Sequence, residues 1–394
     1  MIKNIDRWML LLMTMLLIAC QSSDEDNSSP DDCYLDIYVY APDRPIVTRG
    51  DAGEISPSDA EKKVNTLQIW VFKSGNGTLV GHLSATNPTY LNSSAGQEKY
   101  RMKVDKAFAN APENVDVYVI ANAASCGLSF GENTDRATLD AAVIGTIGGT
   151  DYFGTTTLVA TVPTGGLPMS SVLKNQRIHG SFPALRIGTQ DQMSTLRLTR
   201  AVSKLRFVLC QKGNNDSGRD LVSIDAISLS ANQIPEKTWL IARETNGFTY
   251  NHGAINYVSE SNKLLPDGID GIPSVEDPMI YQYETQKAQE YEDLINNAVS
   301  EGKLKQIGLT YLRESDKQLT GSITYKYSEN GVVQEDPVTI PFSMVAPGDF
   351  LRNHSWIVYI YFMGAKIHVH VVTHIGMKVW TPDPDDDNVY VYNW

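Results

Sequence analysis

The sequence predicts an all-β chain with minor helices, arranged as two β-sandwich domains in tandem. Short runs of alternating apolar and polar residues recur along it, which is the period of a half-buried strand. Its 29 Gly and 18 Pro fall mostly between those runs, where turns are made. Its 394 residues, 42% of them hydrophobic, suffice for two cores. Helical periodicity is scarce.

The chain opens with Lys3 and Arg7, an apolar run from Trp8 to Ala19, and Cys20. A run of about a dozen residues behind a basic start is a signal peptide, too short for a spanning helix of ~20. Leu17-Ile18-Ala19-Cys20 has the form of a lipobox, in which the Cys20 thiol takes a diacylglycerol and becomes the new N-terminus. Residues 1–20 are thus expected to be a lipoprotein signal peptide. The acidic Gln21–Asp26 tract and the polar residues to Asp32 follow as a tether.

Cys33–Tyr40 alternates strictly, with Cys33, Leu35, Ile37 and Val39 on one face and Tyr34, Asp36, Tyr38 and Tyr40 on the other. It is expected to be a half-buried strand. Ala41–Gly53 holds two prolines, two glycines and two arginines, Arg44 and Arg49, and should be an exposed loop. Ser56–Lys63, with a cap residue and an early Pro, predicts one or two helical turns. Further strands are expected at Thr66–Lys73 (closed by a Gly75-Asn76-Gly77 turn), Tyr100–Val104, Val115–Ala121 and Thr155–Val162, with a short helix at Asp135–Ile144. Thr195–Leu209 alternates for longer than one strand lasts and is expected to pass from one domain to the next, so a boundary is placed near Arg200.

The second half repeats the pattern at Leu221–Leu229, Thr238–Ala242, Gly321–Tyr327, Val338–Pro341, Ser355–Phe362 and Lys366–Val372. One helix is expected around Gln286–Ser300, where Ala288, Tyr291, Ile295 and Val299 recur at helical steps inside an irregular insertion from Asn246 to Leu304. The expected divisions are 1–20 signal peptide, 21–49 tether and first strand, 50–199 and 200–375 two sandwiches, and 376–394 a C-terminal tail. That tail holds Met377–Trp380, a Pro/Asp-rich hinge from Thr381 to Asp387, and a last strand, Asn388–Trp394.

A net charge of −13 repels phosphate backbones, so nucleic acid is not an expected partner. With Cys20 lipidated, Cys33, Cys126 and Cys210 form an odd set, against a full disulfide framework. Gly127-Leu128-Ser129-Phe130-Gly131 spells a nucleophile-elbow motif, but five residues separate it from the preceding strand and no parallel βα alternation surrounds it. His368, His370 and His374 share a strand face yet have no carboxylate or Cys at ligand spacing. Asp383–Asp387 starts like a calcium loop without its Gly or closing Glu. The zinc-protease helix motif, the P-loop and the dinucleotide fingerprint are missing from the sequence. No catalytic residue, metal or cofactor is therefore expected.

An ordered set of short stretches resembles the fimbrillin family, the FimA-like precursor pilins of Bacteroidota type V pili. They are Leu67–Phe72 with the turn Gly75–Gly81, Val117–Asn122, Gly166–Ser170 ("LPMS"), Leu198–Leu205 ("RAVSK") and Arg352–Trp356, beside the lipobox and Thr48-Arg49. The resemblance implies two tandem transthyretin-like sandwiches and a precursor that is lipidated, carried to the outer membrane surface and cut by an arginine-specific protease in the loop after the first strand. On this sequence the cut falls after Arg49 or after Arg44. Loss of residues 1–49 removes four of 33 Lys/Arg and eight of 46 Asp/Glu, leaving a net −9. It would also remove Leu35, Ile37 and Val39 from a sandwich, at ~1.5–3 kcal/mol of burial each, and open a groove suited to a strand from another subunit. Val389 and Val391, alternating with Tyr390, Tyr392 and Trp394, have the composition of the missing strand. They are the candidate donor, or else they dock on their own domain. The expected function is that of a cell-surface fimbrial subunit mediating adhesion to a host or bacterial surface ligand, as shaft, tip or anchor. The rival reading is a monomeric surface lipoprotein that binds glycans through some of its six Trp and 19 Tyr.

Overall fold

The computed structural model describes residues 32–41, 59–93, 96–147, 150–151, 161–181, 184–189, 194–211, 219–244, 247–257, 296–343, 350–363 and 366–375. Strands dominate it. In chain order they are β1 (Cys33–Tyr40), β2 (Thr66–Lys73), β3 (Leu79–Thr86), β4 (Gln97–Val104), β5 (Val115–Ala121), β6 (Val143–Ile144), β7 (Thr146–Ile147) and β8 (Thr150–Asp151). Next come β9 (Met169–Gln176), β10 (Ile178–Ser181), β11 (Ala184–Ile187), β12 (Thr195–Arg197) and β13 (Thr199–Arg200). The rest are β14 (Ser203–Gln211), β15 (Arg219–Leu229), β16 (Thr238–Trp239), β17 (Ile255–Tyr257), β18 (Lys305–Leu312), β19 (Thr320–Glu329), β20 (Val332–Val333), β21 (Val338–Ser343), β22 (His354–Met363) and β23 (Lys366–Ile375). Short helices interrupt them, among them α1 (Asp59–Lys62), α2 (Lys106–Asn110) and α3 (Arg136–Asp140).

Four larger sheets result. Sheet I runs β10-β11-β1-β12, with β4 also on β1, and sheet II runs β13-β9-β5-β2-β3. Sheet III runs β18-β14-β22-β23, and sheet IV runs β17-β15-β19-β20 with β21 on β19. Sheets I and II draw only on strands up to Arg200, and III and IV only on strands from Ser203 onward. The chain is all-β with minor helices, as its alternation requires.

β5 is buried at every position, as befits a strand covered on both faces. Trp70 and Phe72 of β2 are likewise buried on the face opposite Leu67, Ile69 and Val71. The segment after β5 covers that second face. Phe130 meets Trp70 edge-on at 6.0 Å between ring centroids, and Asp140 at the end of α3 accepts a 2.9 Å hydrogen bond from the Tyr118 hydroxyl of β5. The elbow-like motif lies in this cover. A 3-10 turn, Ala123–Cys126, precedes it, and the carbonyls of Phe130 and Gly131 accept from the Gln68 amide and the Trp70 indole. Ser129 is on the surface, so the motif serves packing.

Several sequence expectations are corrected. The helix expected over Asp135–Ile144 is confined to Arg136–Asp140, because the Asp135 side chain caps it and the chain turns into β6 to meet β16. Thr195–Leu209 is three pieces, β12, β13 and β14, which pair in sheets I, II and III. Leu79–Thr86, which follows the glycine turn, is a full strand that the sequence reading left in the turn region. The expected strand at Thr155–Val162 lies mostly outside the described residues, and of the Gln286–Ser300 helix the described part, 296–300, is helical.

Sheet II and the later strands are tied by buried polar contacts. β16 pairs with β6, and the Leu240 N–H donates to the Ala142 carbonyl at 2.9 Å. Buried Arg352 donates to the carbonyls of Trp239 (2.8 Å) and Leu240 (3.1 Å) and is ion-paired with Glu314. Such buried cations are sustained only by full pairing.

Candidate functional site: the first strand and its groove

β1 alternates in burial as its sequence does. Cys33, Leu35, Ile37 and Val39 are 2%, 0%, 1% and 0% exposed, and the residues between them are half-buried. On one side β1 pairs antiparallel with all of β4, from Cys33 opposite Val104 to Tyr40 opposite Gln97. On the other its first half runs parallel to β11, with Tyr34–Asp36 beside Ala184–Arg186. Its second half runs parallel to β12, with Tyr38–Tyr40 beside Thr195–Arg197. Within sheet I, β4 and β12 are bonded to β1 alone, and β11 to β1 and β10. The strand nearest the N-terminus is therefore the centre of its sheet.

The inward residues of β4 opposite it, Tyr100, Met102 and Val104, are also buried. Withdrawal of β1 would expose these floors together with the unpaired edges of three strands. The Leu35, Ile37 and Val39 side chains alone carry about 4.5–9 kcal/mol of burial. That rivals the total stability of an ordinary domain, ~5–15 kcal/mol, so the groove cannot stay empty without cost.

The outward face is electrostatic. Lys103 Nζ lies 2.6 Å from Asp32 Oδ1, Arg101 Nε 3.0 Å from Asp36 Oδ1, and Lys99 Nζ 3.8 Å from Asp36 Oδ2. The Asp32 carboxylate, by hydrogen bond and charge, raises the Lys103 pKa above the ordinary lysine value. The Arg101 guanidinium also sits 5.7 Å over the Tyr34 ring.

The motif residues fasten the rest of the fold around this sheet. Asn122, buried in a left-handed conformation, accepts from the backbone N–H of Asn65 at 2.8 Å and donates to the carbonyls of Lys63 and Leu167, both at 2.9 Å. Gly166 approaches so closely that a Cβ there would lie 2.4 Å from the Asn122 amide nitrogen. Arg200 donates to the Glu61 carbonyl at 2.9 Å and to Asn353 Oδ1 at 2.8 Å, while Lys204 Nζ pairs with the Glu61 carboxylate at 2.8 Å. Burial pushes the Glu61 carboxyl up, but the Lys204 ammonium, the Tyr311 hydroxyl at 2.5 Å and the Arg200 charge outweigh it, and it ends below its ordinary value. The sequence marked these motifs without showing that Arg200 and Lys204 converge on Glu61 of α1.

Cys20, Arg44, Arg49 and the donor candidates Val389, Tyr390, Val391, Tyr392 and Trp394 lie outside the described residues. So do the side chains of His368, His370 and His374, whose backbone forms part of β23. Cys33 is buried on β1, and Cys126 is a buried thiol that burial pushes up to about 11, which makes it unreactive. No His/Cys/Asp/Glu group that could hold a metal, and no helix long and apolar enough to cross a membrane, occurs among the described residues.

Comparison with known proteins gives the class: residues 45–190 match the family model described as "Major fimbrial subunit protein (FimA)". The resemblance read from the sequence is therefore borne out over that stretch. Solved structures similar to it include the C-terminally truncated tip fimbrial protein Mfa3 of Porphyromonas gingivalis, at 14% identity and TM-score 0.48 over 87% of this chain and 99% of that one. A protein of Parabacteroides distasonis, described provisionally as a cell adhesion protein, shows 16% identity and TM-score 0.48 over 89% and 100% of the two chains. No curated protein matches.

Proposed function

We propose that this chain is the precursor of a cell-surface fimbrial subunit that polymerises by strand replacement. Its two tandem transthyretin-like sandwiches part near Arg200. It is exported, lipidated on Cys20, held at the outer membrane, and cut by an arginine-specific protease after Arg49 or Arg44. The cut frees β1 for replacement by the segment Met377–Trp394 of another subunit, and the assembled fimbrium adheres to a surface ligand. One observation carries the reading: the strand just ahead of Arg44 and Arg49 is the strand on which β4, β11 and β12 all depend. A strand placed so is the one whose exchange rewires a sheet, and extended segments fill such openings by backbone pairing with alternate side chains in pockets.

The test is limited trypsin treatment of residues 21–394, sequencing of the new N-terminus, and a heat-labile ladder on SDS gels. Cleavage at Arg49 or Arg44 with regular multiples supports the proposal. Polymers formed equally well after deletion of Met377–Trp394 would remove the tail as donor. The absence of any preferred cut between β1 and α1, with glycan binding by the uncut chain, would favour a monomeric surface lipoprotein.

A further inference from the structure

β4 carries two rows of opposite character. Tyr100, Met102 and Val104 face inward, while Lys99, Arg101 and Lys103 alternate with them on the exposed face. The outer row forms ion pairs with Asp32 and Asp36, both of which lie ahead of Arg44 and Arg49. Arg186 of β11 stands in register with Asp36 on the far side of β1, and Arg197 of β12 with Tyr40. Excision of the first 49 residues would thus strip two carboxylates from a face of cations while leaving the cations in place.

The C-terminal segment holds Asp383, Asp385, Asp386 and Asp387 immediately before the alternating Asn388–Trp394. Carboxylates cannot enter the apolar floor of the groove without a large desolvation penalty, so this run belongs against the outer face or the end of the sheet.

We infer that the row Lys99, Arg101 and Lys103 is a docking rail for the Asp383–Asp387 run of a second copy of this chain, which it draws in before the adjoining strand enters the groove. The inference rests on the strand-replacement reading and adds to it a source of selectivity and timing. In the precursor, and in the cut chain for as long as the residue 21–49 fragment stays paired, Asp32 and Asp36 mask the rail, so it attracts tails only once that fragment has left. After the cut, subunits of net charge −9 repel one another as whole molecules, and the rail is a local patch of opposite sign. Isolated surface pairs stabilise little; a row of like charges steers encounter and rejects mismatched partners.

The test uses a fluorescein-labelled peptide of residues 377–394 and a second peptide with all four aspartates changed to asparagine, each mixed with the trypsin-cleaved full chain from which mild denaturant has removed the residue 21–49 fragment. The acidic peptide is expected to associate at least about tenfold faster at low salt than at about 1 M salt, where the screening length is about 3 Å. The asparagine peptide is expected to associate slowly at both, and the uncut precursor to bind neither. Equal association by the two peptides would overturn the rail and leave the donor strand standing. Binding by neither would overturn both.

Discussion

At the scale of single residues, the sequence motifs resolve into hydrogen-bond accounts. The Asn122 side chain satisfies a backbone N–H of Asn65 and two carbonyls from separate loops, so Asn122→Ala would leave buried groups unpaired at about 1–3 kcal/mol each. Gly166 has φ +83° and no room for a methyl group beside Asn122. Gly166→Ala and Asn122→Ala should each destabilise the chain by about 2–4 kcal/mol, read as a lowered urea midpoint. Glu61 makes a pH prediction. Its folded pKa is depressed, so its contribution is fully present above its unfolded value of about 4.5 and is lost as pH falls through the lower folded value. Melting temperature followed from pH 6 to pH 3 should fall in the wild type. Glu61→Gln should start lower at pH 6 and fall less. Both motifs stood out in the sequence; Glu61, separated in the chain from Tyr311 by 250 residues and far from Lys204 as well, did not.

At the scale of elements, β1 is held by its own burial and by three ladders, not by its covalent link to the rest. Cutting the link alone should therefore not release it. Size-exclusion chromatography after trypsin should show the residue 21–49 fragment co-eluting with the body until a competing strand or mild denaturant is added; immediate loss of the fragment would contradict this. Leu35→Ala, at a site with 0% exposure, should destabilise the uncut chain by about 2–5 kcal/mol and speed release of the nicked fragment. The inward set of β1 was legible from its alternation. Its neighbours were not, since β11 and β12 lie about 150 residues further on and no local pattern names a strand's partner. The short helix α3 was overestimated for a similar reason: its C-terminal residues were claimed by β6, whose partner β16 lies far along the chain.

At the scale of the whole molecule, acidity and assembly pull in opposite directions. A net charge of −13 makes like chains repel one another, and on the strand-replacement proposal the groove and its basic rim would supply the local exception. Cleaved chains should therefore form regular multiples on unheated gels, and the ladder should persist at high salt once formed, because apolar burial in the groove is little affected by ionic screening. Loss of a preformed ladder at high salt would mean that charge, not strand insertion, holds subunits together.

By itself the sequence determined the all-β class, the inward face of β1, the two arginines that follow it and the acidic surplus. Each is a matter of local period, composition or charge, properties that a chain carries whatever its neighbours. Only the tertiary structure decided that β1 sits at the centre of its sheet, that Asp32 and Asp36 cover a row of cations on β4, and that Glu61 meets Arg200, Lys204 and Tyr311. These depend on which distant segments pair. Strand order and register come from burying all the alternating faces at once, and the cost of closing each long loop is repaid only by that joint burial.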